Sequence, residues 1–251
     1  MIKFFLIAIS IVLIPCFTFS EDSTSDDNDG SYMTLSLGQD PSFGFYPSIA
    51  GGYPLNDKLK FTYYGIFWTQ DALAGNSGGV GLLTEFGVGL NFTMLDGQLN
   101  INPTLGIGNG KFQSGGASHV IGDDIVPALY VTYTNDNLET TIGGIFWKGL
   151  RREQLVDKYR DQLQYFLNLW FLADKHLDVG LYYDHFMLTE EDLTSTTTNT
   201  TYFWVGPSIR FKTKSGASFW FSVGPDLVDY VNGNEQKNIR EFYKMVFSVT
   251  F

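Results

Sequence analysis

From Ser31 onward, apolar and polar residues alternate with a period of two, and this limits the possible folds more than any other feature of the chain. In the stretch Val80-Gly-Leu-Leu-Thr-Glu-Phe-Gly-Val-Gly-Leu-Asn-Phe-Thr-Met94, one parity carries Val80, Leu82, Phe86, Val88, Leu90, Phe92 and Met94. The other carries Leu83, Glu85, Gly87, Gly89, Asn91 and Thr93. Successive side chains of a strand point to opposite faces, so such a segment is a strand with one dry and one wet side. Twelve strands are predicted, over 31–38, 43–54, 59–70, 80–94, 98–109, 124–134, 138–148, 161–173, 177–188, 201–213, 217–229 and 239–251.

The links between them alternate in length. Asn56-Asp57, Asp96-Gly97, Asn135-Asp136-Asn137, Ala173-Asp174-Lys175-His176 and Lys214-Ser215-Gly216 read as tight turns. Longer links cover 70–79, 110–123, 149–160, 189–200 and 230–238. Tight turns at one end, long loops at the other and an even strand count describe an all-β, transmembrane, antiparallel up-and-down barrel, with short periplasmic turns and longer extracellular loops. A soluble sandwich has no reason to segregate its loops in this way. The composition agrees: 27 glycines, 16% aromatic and only 17% charged residues suit a β protein with an apolar exterior. The net charge of -11 excludes a nucleic-acid partner, because no basic stripe exists to neutralise phosphates.

Ahead of the barrel, residues 1–20 read as a cleaved secretory signal. Lys3 gives the positive start, Phe4 to Ile14 the apolar run, and Thr18-Phe19-Ser20 the cleavage site before Glu21. That run is shorter than the roughly 20 residues a spanning helix needs. Residues 21–30 form an acidic tether without apolar side chains, expected to be disordered. The barrel then occupies 31–251. Cys16, the only cysteine, leaves with the signal, so no disulfide or thiol chemistry is expected. Asp26-Asp27-Asn28-Asp29-Gly30 has the wrong register for a calcium loop, with Ser25 in the first ligand position and Ser36 in the last. No cofactor or metal is expected.

Two regularities support the barrel independently. Tyr53, Phe92, Tyr133, Phe171, Phe211 and Phe251 recur every 38 to 41 residues, each at the close of an even-numbered strand and on the apolar parity. An aromatic girdle at one membrane interface has this form. Phe67-Trp68 and Phe146-Trp147, at the other end of their strands, are candidates for the opposite girdle. A repeat near 80 residues is also present: Pro47-Ser48-Ile49, Pro127-Ala128-Leu129 and Pro207-Ser208-Ile209. Three units of four strands make twelve.

The chain ends on alternating apolar residues, Tyr243, Met245, Phe247, Val249 and Phe251. This ending resembles the C-terminal insertion signal of bacterial outer-membrane β-barrel proteins, which the assembly machinery recognises. The resemblance covers the architecture of the whole mature chain. It implies location in the cell outer membrane, with outer-membrane lipids and the barrel assembly machinery as partners.

With the apolar parity facing lipid, the other parity lines the lumen. Twelve tilted strands give a backbone radius of roughly 12 Å, between a filled small barrel and an open porin. Strands two, four and five present Ser48, Ala50, Gly52, Gly87, Gly89, Thr104, Gly106 and Gly108 inward, whereas strand eight presents Gln162, Gln164, Phe166, Asn168 and Trp170. An off-centre channel for small polar solutes is the expected function. The alternative is a non-conducting barrel with an adhesive or structural role. Glu85, Gln164 and Lys244 share a height and lie four strands apart, which makes them the candidate constriction. Lys60, Glu139, Arg210 and Lys212 fall near the short-turn rim, where solvated charge is ordinary. The wall acids Asp124, Asp178, Asp184 and Asp226 favour weak cation preference.

Catalysis is not expected. A barrel-embedded lipid hydrolase needs a nucleophile within reach of a base. Of the three histidines, His119 lies in a long loop, His176 in a short turn, and His185 on the apolar parity of strand nine. Tyr183 and Met187 flank His185 on its own face and no serine lies on that strand, so a hydrolase would need a partner from a neighbouring strand. The loop from Leu150 to Arg160 concentrates Arg151, Arg152, Lys158 and Arg160, suited to anionic headgroups or a solvated cap.

Overall fold

The computed structural model describes residues 30–69, 82–110, 120–150, 159–191, 196–233 and 240–251. The signal, the tether up to Asp29, His119 and the basic loop over 151–158 lie outside them. Twelve strands follow in order. The first four are β1 (Tyr32–Asp40), β2 (Gly44–Asn56), β3 (Leu59–Thr69) and β4 (Leu82–Met94). Then come β5 (Leu99–Gly110), β6 (Val120–Thr134), β7 (Leu138–Gly149) and β8 (Tyr159–Leu172). The last are β9 (Leu177–Glu191), β10 (Thr196–Lys212), β11 (Ala217–Asp226) and β12 (Arg240–Thr250). Each pairs antiparallel with its sequence neighbours, and β1 pairs with β12 to close the barrel. The terminal aromatic is part of that closure: the Met33 N–H donates to the Phe251 carbonyl at 3.1 Å, and the Phe251 N–H returns the bond at 2.9 Å.

Most boundaries shift from the expected ones by a few residues, and two of the shifts have clear local reasons. β10 starts at Thr196 rather than 201, because its threonine run extends the ladder with β9 beyond the barrel wall. β11 stops at Asp226, where the Asp226 carboxylate accepts the Phe203 and Val228 N–H groups and starts a one-turn helix, Val228–Val231.

The outward parity is predominantly apolar. On β4 it exposes Phe86, Val88, Leu90, Phe92 and Met94. The repeated prolines also face out and leave a mark in the ladders. Pairing of β2 with β3 skips from Phe45–Thr69 to Ser48–Ile66 around Pro47. Pairing of β6 with β7 skips from Ile125–Lys148 to Ala128–Ile145 around Pro127. Pairing of β10 with β11 skips from Trp204–Asp226 to Ser208–Ser222 around Pro207. Proline has no N–H to give the ladder. The register resumes unchanged, so the repeat places three local seams four strands apart without slipping a strand.

Candidate functional site: the lumen

The lumen is filled unevenly. On one side, β9, β10 and β12 project Tyr182, Phe186, Tyr202, Trp204 and Phe242 inward into a cluster that is almost fully buried. Trp204 stacks between Tyr202 and Phe242, with ring centroids 4.0 and 5.1 Å away. The turn between β1 and β2 carries the cluster across the barrel. Asp40 Oδ1 accepts the N–H groups of Ser42 and Phe43 at 2.9 and 2.7 Å, which folds the turn inward. Phe43 then touches Trp68 of β3 at 4.8 Å and Phe186 of β9 at 5.6 Å. β3 and β9 lie six strands apart in a ring of twelve, so this one ring joins opposite walls.

Trp68 and Trp147 therefore belong to the lumen and not to a second girdle. Trp147 is 4% exposed and donates its indole N–H to Glu85 Oε2 at 2.7 Å. Parity already indicated this, since Trp68 shares its face with Lys60 and Thr62, and Trp147 with Glu139 and Thr141. The sequence places Phe43 on the outward parity of a strand over 43–54; the Asp40-held turn ahead of β2 instead carries it into the lumen.

The three candidate constriction residues all face inward, but they are held in two separate arrangements. Glu85 is 2% exposed and also accepts the Tyr64 hydroxyl at 2.8 Å. Gln164 is buried and donates to both Asp184 oxygens, at 3.0 and 2.9 Å; its Nε2 lies 3.0 Å from the Tyr202 hydroxyl. Lys244 donates to the Tyr182 hydroxyl at 2.9 Å, and Tyr182 in turn donates to Asp184. Asp184 thus links Gln164 to Lys244 through Tyr182, spanning β8, β9 and β12. In place of a ring of mixed charge there are two hydrogen-bonded networks, one around Glu85 and one around Asp184. A carboxylate inside a wall of rings is tolerated only when its oxygens are hydrogen-bonded, and these are.

Of the charges nearer the short turns, Glu139, Arg210 and Lys212 are paired, whereas Lys60 faces the cavity beside the Tyr32 ring. Arg210 bridges Glu139 and the fully buried Asp178, each at 2.7 Å, and stacks over Trp170 at 4.7 Å. Lys212 completes the cluster, 2.7 Å from Asp178.

The β3–β6 wall differs. Its inward side chains are Lys60, Thr62, Asn91, Asn100, Asn102, Thr104 and Thr132, and several bond to one another. Thr62 donates to Asn102 Oδ1 at 3.0 Å, and Asn91 Nδ2 and the Thr93 hydroxyl both donate to Asn100 Oδ1 at 3.0 Å. A cavity of about 330 Å³ opens against Lys60, Asn91, Asn100, Asn102, Thr132 and the rings of Tyr32 and Tyr130. A second, of about 230 Å³, continues past Thr62, Tyr64 and Thr104. The inward glycines do not widen this space as expected. Tyr64 lies over Gly87 and Gly106, Tyr32 over Gly52, and Asp124 over Gly108, each filling the room of the missing side chain.

On the outside, Tyr53, Phe92, Phe171 and Phe211 are exposed at the short-turn end and Tyr133 is half-buried. Tyr243, Phe247 and Phe251 are exposed on β12 and the terminus, with Met245 and Val249 half-buried between them. Among the described residues, no group of three or more metal-ligating side chains is gathered.

Comparison with solved structures agrees with this architecture. The COG4313 outer membrane channel from Pseudomonas putida F1 superposes with a TM-score of 0.57 at 11% identity, covering 88% of this chain and 95% of that one. A KdgM porin in complex with disordered oligogalacturonate gives 0.48 at 10% identity, with 88% and 99% covered. The NanC porin gives 0.49 at 8% identity, with 86% and 98% covered. The likeness to the COG4313 channel, at this identity, shows the fold alone: a closed barrel of the outer-membrane channel type. No curated protein matches the chain. A family model does, over residues 1–251; its description is a family of unknown function, DUF6733.

Proposed function

The chain belongs to the DUF6733 family, and for it we propose a narrow diffusion channel of the bacterial outer membrane that passes small polar solutes. The observation that carries this reading is the polar cavity along β3–β6, walled by asparagine, threonine and tyrosine and holding one lysine. A barrel serving only as a membrane anchor has no need of a cavity lined by Lys60 and by asparagine and threonine side chains, even where some of these bond to one another. Passage is narrow because Phe43 and the Glu85–Trp147 bond both cross the lumen. Committed charges and a wall of amides and hydroxyls suit uncharged or weakly charged solutes. The constriction of this channel is Phe43 with Glu85, while Gln164 and Lys244 hold the opposite wall in place.

Single-channel recording of the refolded barrel in planar bilayers tests the reading. Small steps are expected, and Phe43→Ala should enlarge them. Silence from both folded proteins supports the second reading, a non-conducting structural or adhesive barrel, which the cross-lumen aromatic cluster favours. Export through the signal over 1–20 and recognition of the β12 ending by the assembly machinery belong to the same proposal. Deletion of Phe251 should lower the fraction inserted, and undiminished insertion would count against that ending as the signal.

A further inference from the structure

On the lipid-facing parity of β8, β9 and β10, a phenol, an imidazole and an alcohol form one hydrogen-bonded row, in which His185 and Thr200 are only 6% and 8% exposed. His185 Nε2 lies 2.9 Å from Thr200 Oγ1, and His185 Nδ1 is hydrogen-bonded to the Tyr165 hydroxyl. In the ladders His185 stands opposite Tyr165 and Phe203, and Thr200 stands opposite Met187, all on the lipid-facing parity. Thr200 is there because of a β-bulge between it and Tyr202. With continuous register Thr201 would face Met187, and Thr200 would pair with Leu188 and point into the lumen. Bulges re-aim side chains in this way. Asn232 then fixes the strand from the β11–β12 connection: its Oδ1 accepts the Thr200 N–H at 3.0 Å and its Nδ2 donates to the Thr200 carbonyl at 2.8 Å.

A histidine serving only as an interfacial anchor needs no hydroxyl re-aimed toward it and clamped from a third segment. Ionisable residues at membrane depth default to function. The depth is informative. His185 lies eight residues beyond Leu177, the start of β9, which at the usual rise and tilt is about 20 Å above the short-turn end. That is close to the far edge of an apolar band about 25 Å tall. Glycerolipid ester groups occupy this level, between headgroups and hydrocarbon. The rings of Tyr165 and Phe203, each 4.9 Å from the imidazole, wall the site as an interfacial aromatic belt does.

We propose that Thr200, His185 and Tyr165 form an acyl-ester hydrolysis site that takes glycerolipid esters from the leaflet on the long-loop side. The neutral imidazole keeps its proton on Nδ1, donated to the Tyr165 oxygen, which leaves the Nε2 lone pair for the Thr200 hydroxyl. The Thr200 oxygen attacks the acyl carbonyl carbon. The new C–O bond forms as the carbonyl π pair moves to oxygen and the threonine proton passes to Nε2. Collapse breaks the ester C–O bond, and the leaving alcohol takes the proton from Nε2 while the acyl group stays on Thr200. Water then attacks by the same route, delivering its proton through His185, and releases a fatty acid with the threonine restored. Nothing is oxidised or reduced. Thr200 and His185 are the catalytic residues; Tyr165 is a positioning residue that holds the tautomer.

The test uses the folded full-length barrel in mixed micelles of diacyl phosphatidylethanolamine and nonionic detergent. Fatty-acid release is titrated, and intact mass is measured after exposure to a fluorophosphonate. Wild type and Thr200→Ser should release fatty acid and take one phosphonyl group on residue 200. Thr200→Val and His185→Gln should lose activity by roughly 100-fold or more while keeping the heat-modifiable gel mobility of a folded barrel. Tyr165→Phe should lower kcat and shift the pH profile with little change in KM. Folded wild type that neither releases fatty acid nor takes the label overturns the proposal, as does release unchanged in Thr200→Val. Conductance reads the lumen separately, so either proposal can fail without the other.

Discussion

The two sides of the lumen are built from the same strand pattern and use it in opposite ways. On the β8–β12 side the inward parity carries Trp170, Tyr182, Phe186, Tyr202, Trp204 and Phe242, and Gln164, Asp184, Tyr182 and Lys244 bond to one another among them. On the β3–β6 side it carries glycine, threonine and asparagine, with cavities left between them. A barrel ladder satisfies the backbone everywhere, so the lumenal side chains are free to differ from strand to strand. One side can therefore act as the core of the molecule while the other remains a wettable wall. That division is why a lumen can be crossed by rings and still hold space for a solute.

Damage to the core side should be the most expensive. Trp204→Ala, which removes a ring 1% exposed and stacked on two others, is expected to cost about 3–5 kcal/mol in urea unfolding from lipid vesicles. Asp184→Asn should cost about 3 kcal/mol, because an amide nitrogen would meet the Gln164 amide or the hydroxyls of Tyr182 and Tyr202, which now share the carboxylate. On the wall side, Gly87→Val brings a Cβ to 2.3 Å from Tyr64 and should swing that ring into the lumen, away from Glu85. The expected cost is about 2 kcal/mol, with a measurable drop in conductance. Thr132→Val, which loses only the 3.0 Å contact with Thr141 at the cavity edge, should change stability by about 0.5 kcal/mol or less and act on solute passage instead. If Thr132→Val proved as destabilising as Trp204→Ala, the division into core and wall would be wrong.

Much of this was legible in the chain. Strand count, the outward face and the placing of loops followed from period two and from turn residues, since both are set by the backbone within a few positions. The inward direction of Trp68 and Trp147 was legible too, because parity sets each with polar residues of its own strand. The pairings were not. Nothing near Glu85 announces Trp147, 62 residues later, and nothing near Lys244 announces Tyr182. The insertion of Phe43 depends on an Asp40-held turn meeting a wall six strands away. The sharpest case is Thr200: strict alternation sends it inward, and one bulged residue turns it out toward His185.

By itself, then, the sequence determined a closed twelve-stranded barrel with an apolar exterior, because alternation is a local property that any antiparallel ladder must respect. Which lumenal groups neutralise one another, which ring crosses the bore and which hydroxyl meets the outward histidine were decided only when the cylinder closed. Closure brings residues from distant strands within hydrogen-bond reach, and a one-residue bulge exchanges inside for outside.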